Sequence, residues 1–372
     1  MDVNILIIGA GPAGLAMAGR LSHAGVDYTI IESSDRMAVA WHNHYDRLHL
    51  HTVKQLSHLP HLPFPEEYPL YVSRAQLTSY LESYAKHFKI QPVYNQTVSQ
   101  IINNESGYEV RTSGDTYQAR KVIIATGVNR VPNVPEWSGQ DSFSGTIIHS
   151  RQYKNPEPFI GKKVLVVGMG NTGAEVALDL SEHDVDTTIS VRSPISVVPR
   201  DLNGQPVQVT SKRLAKLPFG LGDWLGSQIR KIYFGNLEPY GLRISKLHPA
   251  QQLRETGKTP IVDIGTIDAI KKGAIQVKPN IASFENGQIT FVDDTSKDID
   301  AVILATGYRA KIDAFFPQIS ESLDVNGLPK SPIGSGKLTG AYFLGFDNYK
   351  LGGILGTIHN DTQLILDDLK TA

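Results

Sequence analysis

Two glycine turns of one form constrain this chain more than anything else in it. Gly9-Ala-Gly11-Pro12-Ala13-Gly14 follows the apolar run Ile5–Ile8, and Gly168-Met-Gly170-Asn171-Thr172-Gly173 follows Lys163–Val167. Each run reads as a strand buried on both faces, as in a parallel sheet, and each turn opens an apolar helix. The three glycines divide the work. Gly9 and Gly168 make the turn, Gly11 and Gly170 let the backbone approach a pyrophosphate, and Gly14 and Gly173 let helix pack on strand. The pyrophosphate then sits on the helix N-terminus, where free N–H groups and the dipole favour negative charge. A doubly wound α/β fold with two dinucleotide-binding units follows.

The two copies differ where a ribose would be read. The second strand of the first copy, Tyr28–Ile31, ends in Glu32, eighteen residues after Gly14. An acid there accepts hydrogen bonds from a free 2′-hydroxyl, as in FAD or NAD. In the second copy the strand Thr187–Arg192 carries no acid at that spacing, and Arg192-Ser193 follows. A planar, permanently charged guanidinium suits a 2′-phosphate, so the second site favours NADPH.

At 372 residues the chain is long enough for two domains, and its net charge of −1 carries no basic or acidic block. Nucleic acid and anionic membrane are therefore not expected as partners. No apolar run nears the roughly 18 residues a spanning helix needs. The first strand starts at Val3 and belongs to the fold, so no signal peptide is expected and the cytoplasm is the expected location. With no cysteine in the sequence, disulfides, thiolate catalysis and the dithiol flavin reductases are excluded. Six of the twelve histidines fall in Trp41–Pro65 without an accompanying carboxylate ligand set, so no metal site is expected.

Along the chain, Ser73–Phe88 has a Ser start and late basic residues, the marks of a helix. Gln96–Ile102, Tyr108–Thr112 and Thr116–Ala119 read as short strands, and Lys121–Gly127 as a buried one. The region to about Thr259 is open apart from a helix over Trp224–Phe234. Ile261–Asp268, Ile275–Val277 and Ile289–Val292 read as short strands and turns, Gly352–Gly356 as a turn, and Asn360–Leu369 as a terminal helix. Ala301–Gly307 (AVILATG) echoes Lys121–Gly127 (KVIIATG). Ala125-Thr126-Gly127 and Ala305-Thr306-Gly307 put small residues and free backbone N–H groups where the chain passes close to a cofactor or another domain. The implied architecture is a split FAD domain, 1–148 and 300–372, into which an NADPH domain, 149–299, is inserted.

Phe143, Gly145, His149 and Tyr153 form an FxGxxxHxxxY segment between the two turns. With the glycine turns it resembles the flavin-containing monooxygenases. Tyr45-Asp46-Arg47-Leu48, Lys54-Gln55, Leu62–Pro65, Gly257–Pro260 and Ala305–Arg309 look like motifs of the plant YUCCA-type enzymes and their compact bacterial relatives. The usual Gly-Gly-x-Trp reads Ala38-Val39-Ala40-Trp41, and His51 stands where amine-oxygenating members carry Asn. The resemblance implies FAD reduced by NADPH, O₂ taken at flavin C4a as a peroxyflavin, and one oxygen atom passed to a small organic substrate (thioether, ketone or aryl-pyruvate). It also implies that Arg47 and His51 face the flavin as candidate catalytic residues, and that Trp41 packs over it. An NADPH–flavin reductase that passes electrons on without oxygenation is the alternative. The oligomeric state is open, a homodimer being one option.

Overall fold

The computed structural model describes residues 1–214, 217–218, 220–285, 288–347, 349–350 and 352–371. Positions 215, 216 and 219 of the open region, and 348, 351 and 372 of the last segment, lie outside the described residues. The chain forms two compact units, one of residues 1–43, 52–131 and 308–372, the other of 44–51 and 132–307. The sequence reading sets the breaks at 148/149 and 299/300. They fall at 131/132 and 307/308 because strands Thr146–His149 and Ala301–Leu304 pair with each other inside the second unit's sheet. The eight residues 44–51 also join the second unit, which no spacing in the sequence announces.

In the first unit, β1 (Asp2–Ile8), α1 (Pro12–His23) and β2 (Thr29–Ile31) form the first glycine-turn device. β1 lies parallel between β2 and the strand Thr116–Ile124, with Ile8 level with both Ile31 and Ile124. Thr116–Ile124 is one nine-residue strand where the sequence suggests two. Its far edge is shared: the first half pairs antiparallel with Gly107–Thr112, the second half parallel with Ala341–Phe343. Both faces of β1 are buried, Leu6 and Ile8 against Val122, Phe316 and Phe343, and Ile7 toward Gly14 of α1. This is why its sequence runs apolar without alternation. The helix expected from Ser73 is Arg74–His87, and Ser73 and Gln76 form a capping box across its N-terminus.

The terminal helix spans Gly353–Thr371, seven residues longer at its start than the sequence suggests. Glycine costs a helix roughly 0.8–1 kcal/mol per residue. Leu355, Ile358, Thr362, Ile365 and Leu366 repay that by burial on one face. Arg20 of α1 closes the contact, donating to Thr362 Oγ1 at 2.9 Å and to the His359 carbonyl at 3.2 Å.

The second unit holds β3 (Lys163–Val167), α2 (Asn171–Ser181) and β4 (Asp186–Ser190). Its five-stranded parallel sheet runs Ile275–Lys278, β4, β3, Ala301–Leu304, Thr146–His149. An antiparallel sheet of Ile281–Glu285, Gln288–Phe291 and Ser296–Asp298 accompanies it. The helix expected near Trp224 is Leu221–Phe234, flanked by helices Val207–Leu214 and Pro249–Thr256. Ile261–Asp268 is strand only to Asp263. Thr266–Lys271 is helical, because Ile267 and Ile270, three apart, bury together.

Candidate functional site: two dinucleotide cradles

The first glycine turn separates packing from binding by geometry alone. Gly9 has φ +106°, and a Cβ there would stand 2.7 Å from the Ala125 carbonyl oxygen; one on Gly14 would stand 1.8 Å from the Gly9 oxygen. A Cβ on Gly11 would meet nothing within 4 Å. Gly11 is also the N-cap of α1, with no side chain closing the cap, and Pro12 follows in the first turn. The N-terminal N–H groups beyond Pro12, starting with that of Ala13, therefore border open space. Glu32 is buried, accepting from the Ala10 N–H at 2.7 Å and, on its other oxygen, from Ser34 N–H and Ser33 Oγ at 3.0 Å. It braces the turn with about one lone-pair site to spare. Ala38 N–H donates to the Ala10 carbonyl at 3.0 Å, which seats the short helix Val39–His42 carrying Trp41. Ala125 N–H donates to the Ile8 carbonyl at 2.9 Å, and beside it the Thr126 hydroxyl is buried with no hydrogen-bond partner. An open Gly11, an uncapped helix end and an orphaned hydroxyl fit a dinucleotide.

The second turn repeats this closely. Gly168 has φ +100° and its Cβ would lie 2.8 Å from the Ala305 oxygen; one on Gly173 would lie 1.9 Å from the Gly168 oxygen; one on Gly170 would meet nothing within 4 Å. Ala305 N–H donates to the Val167 carbonyl at 2.9 Å, matching Ala125 on Ile8. Gly127 and Gly307 share positive φ, +77° and +82°. Two details differ. Asn171 is committed to structure, donating to the Pro260 carbonyl at 3.2 Å and accepting from Val262 N–H at 2.7 Å, beside Thr172 at the helix start. The Thr306 hydroxyl donates to the Asn133 carbonyl rather than standing unpartnered. Arg192 and Ser193 are exposed just beyond the end of β4. Arg243 donates to the Arg192 carbonyl at 3.1 Å, bringing a second guanidinium to that end. Fifty-one residues separate the pair, so no local pattern could have pointed to Arg243.

The FxGxxxHxxxY segment builds the second unit. Phe143 meets Phe284 edge to face at 5.3 Å, and Gly145 has no room for a Cβ, 2.4 Å from the Asp300 oxygen. His149 Nε2 lies 3.2 Å from the Gly307 carbonyl, while its Nδ1 accepts from Arg151 N–H at 3.1 Å. That pattern is the neutral imidazole with the proton on Nε2. Burial lowers its pKa, against the opposing pull of the Gly307 carbonyl.

Helix α2 carries the second charged feature. Glu175 and Asp179, 3% and 5% exposed, project from it four residues apart. Tyr45 donates to Glu175 Oε2 at 2.6 Å, and His51 Nε2 lies 3.2 Å from the same oxygen. Tyr153 donates to Asp179 Oδ2 at 2.7 Å. Arg47 donates to Asp179 Oδ1 at 3.1 Å and to Glu182 Oε2 at 2.8 Å. Burial drives the Tyr45 and Tyr153 hydroxyls up, and the neighbouring carboxylates add to it, so both stay protonated donors. Burial alone would lower Arg47, but Glu182 and Asp179 outweigh it and its pKa rises. The structure thus brings Arg47 and His51 together against the carboxylates at α2. The partners Glu175, Asp179 and Glu182 were not among the residues singled out from the sequence.

Residues 6–217 match the family model described as pyridine nucleotide-disulphide oxidoreductase. The chain is 41% identical over 360 residues to the probable indole-3-pyruvate monooxygenase YUCCA9 of Arabidopsis thaliana, covering 94% of this chain and 85% of the relative. The indole-3-pyruvate monooxygenase YUCCA1 of Oryza sativa subsp. japonica is 38% identical, with 95% and 88% covered. The chain belongs to the YUCCA-type flavin monooxygenases. Its fold is that of the flavin-containing monooxygenase from Stenotrophomonas maltophilia, with a TM-score of 0.76 at 21% identity over 100% and 99% of the two chains. This YUCCA-type flavin monooxygenase uses FAD and NADPH and inserts one oxygen atom of O₂ into a small organic substrate. Among its described residues no helix is long and apolar enough to cross a membrane.

Proposed function

We propose that the enzyme decarboxylates aryl-pyruvates oxidatively, with indole-3-pyruvate as the reference substrate. The observation that carries this is the match, over nearly the whole chain, to relatives named as indole-3-pyruvate monooxygenases. The balance is R–CH₂–CO–COO⁻ + O₂ + NADPH + H⁺ → R–CH₂–COO⁻ + CO₂ + NADP⁺ + H₂O. Bound FAD supplies the two-electron and oxygen chemistry, and the protein binds, orients and excludes water.

In this reading the first unit holds FAD, with Gly11 and the α1 N-terminus at the pyrophosphate, Glu32 at the ribose and Thr126 offering its hydroxyl. The second unit holds NADPH, with Gly170 and the α2 N-terminus at the pyrophosphate and Arg192, Ser193 and Arg243 at the 2′-phosphate. What supports the pairing is the single contrast in the two ribose positions, Glu32 against Arg192. Arg47 and His51 act on the reaction from segment 44–51 beside α2, with Glu175 fixing the His51 ring through Nε2. We place the enzyme in the cytoplasm, where its NADPH reductant is supplied.

The test is oxygen uptake and peroxide release with NADPH, with and without indole-3-pyruvate and a thioether. Stoichiometric indole-3-acetate and CO₂ with little peroxide is expected. Oxygenation of the thioether with no indole-3-acetate would refute the decarboxylation. Electron transfer to an acceptor with no oxygen incorporated would refute oxygenation altogether.

A further inference from the structure

The second unit contains a cavity of about 420 Å³ that none of the cofactor assignments uses. Helix Leu221–Phe234 contributes Arg230, Lys231 and Phe234, residues 235–238 continue the lining from its end, and Val197 and Ile244 complete it. One charged side chain of that lining is buried: Arg230 lines the cavity and is 9% exposed. Its Nη1 is buried without a hydrogen-bond partner, and among the described residues no carboxylate pairs with it. Asp223, in the first turn of the same helix, is taken by His248 at 3.1 Å and Arg254 at 2.9 Å. Glu238 stands exposed. Buried charges are paired or hydrogen-bonded almost without exception. A buried guanidinium that lines a cavity with no carboxylate bonded to it, Glu238 of the same lining being turned out to solvent, is a counter-ion waiting for an anion.

We propose that this cavity binds a small organic acid, the Arg230 guanidinium taking the carboxylate and the apolar wall taking its aryl or alkyl body. The lining selects among anions. Val197, Phe234, Leu237 and Ile244 offer an apolar body its contact surface, whereas inorganic phosphate would gain nothing from them and would find one buried cation, Lys231 and Asn236 of the lining being exposed. A single guanidinium neutralises a monoanion and binds a carboxylate in bidentate fashion. The acid expected is the aryl-pyruvate substrate or the aryl-acetate it becomes, an identification that rests on the reaction proposed above. The volume lies in the range of small-molecule pockets.

The experiment is calorimetric titration of the FAD-loaded enzyme, without NADPH and without oxygen. The probes are phenylpyruvate, phenylacetate, neutral phenylacetamide, inorganic phosphate and 2′-AMP. Both organic acids should bind, with phenylacetamide and phosphate at least about tenfold weaker. Arg230→Met should weaken the acids by about 10- to 100-fold, the span of a charge-assisted hydrogen bond, and leave the amide unchanged. Arg230→Lys, which keeps the cation, should retain most of the affinity. Removing an uncompensated buried charge should leave Arg230→Met melting no lower than wild type. Because Ile244 follows Arg243, 2′-AMP serves as the control for the nucleotide end, and it should not displace phenylacetate.

No acid binding to wild type, equal binding of acid and amide, unchanged affinity in Arg230→Met, or displacement by 2′-AMP would each overturn the site. Should Arg230→Met fail to fold, Arg230→Lys binding no acid would do the same. The two proposals fail separately. Arg230-dependent binding of phenylpyruvate without turnover would sink the decarboxylation and leave the site. Turnover without Arg230-dependent binding would sink the site and leave the reaction.

Discussion

Gly11 and Gly14 lie three residues apart, and the structure predicts opposite failures for them. A Cβ on Gly14 would stand 1.8 Å from the Gly9 carbonyl oxygen and 3.0 Å from its carbon. Both are backbone atoms that cannot rotate away, so α1 and the turn must part. Overpacking of this kind costs about 1–3 kcal/mol, and an obstacle made of backbone puts Gly14→Ala near the upper figure. For a unit of this size roughly 3 kcal/mol lowers the melting temperature by roughly 6–12 °C. Gly11 has φ −80° and ψ −174°, an extended conformation that a branched residue accepts, and open space beyond its Cβ position. Gly11→Val should therefore destabilise the flavin-free fold by only about 1 kcal/mol, the cost of a poorer N-cap. It should nonetheless abolish FAD retention, since its methyl groups fill the space the pyrophosphate needs. The assay is flavin absorbance per protein in the purified variants, then thermal unfolding of the same proteins stripped of flavin. Full flavin in Gly11→Val, or flavin-free Gly11→Val melting as low as Gly14→Ala, would refute the division between cradle and packing glycine.

Three further expectations concern charge and protonation. Arg192→Ala should raise KM for NADPH by about tenfold, the lower end of a charge-assisted hydrogen bond because the side chain is exposed, and leave KM for NADH unchanged; equal effects on both nucleotides would dismiss the 2′-phosphate assignment. Burial holds the folded-state pKa of His149 below its ordinary value. The stability it contributes is then complete above about pH 6.5 and falls as acid takes the protein from there down through the lower native value. Melting curves of His149→Gln across that range should be flatter than wild type, and parallel curves would refute this. His51→Asn should keep its flavin yet raise peroxide release or shift the carbonyl-to-amine activity ratio; an unchanged leak and ratio would make His51 a structural partner of Glu175 and nothing more.

Both nucleotide devices were legible residue by residue, because their signals are local. A buried run, a glycine at positive φ and a helix start all fall within twelve residues. The Ser73 cap was legible for the same reason. What escaped was set by partners distant in sequence. The start of the last helix, Gly353–Gly356, reads as a turn because its glycines argue against helix, and only the packing of Leu355 and Ile358 overrules them. The helix Thr266–Lys271 was hidden by reading Ile261–Asp268 as strand and turn, a span that stops short of Ile270. Segment 44–51 joins the second unit through side chains that meet residues more than a hundred positions away, as Tyr45 does Glu175.

That last case bears on how the candidate site is read. Glu175 and Asp179 are ionisable and buried, so the fold must supply donors for them whatever the enzyme does. Tyr45, His51, Arg47 and Tyr153 are those donors. Two stretches that look like family motifs, Tyr45–Leu48 and the FxGxxxHxxxY segment, therefore converge on one helix and satisfy the same pair of carboxylates. A catalytic role for Arg47 or His51 is thus additional to a structural one that each already fills. Loss of activity on removing Arg47 would not separate the two, since Asp179 would keep the neutral Tyr153 hydroxyl but lose its guanidinium charge partner, which would unsettle α2 and with it the cradle at Gly170. His51 is the informative position. Tyr45 holds the same Glu175 oxygen at the shorter distance, 2.6 Å against 3.2 Å, so Glu175 keeps a donor when the imidazole goes. A change in peroxide release with both nucleotides still bound would then report on the chemistry at His51 rather than on the fold beneath it.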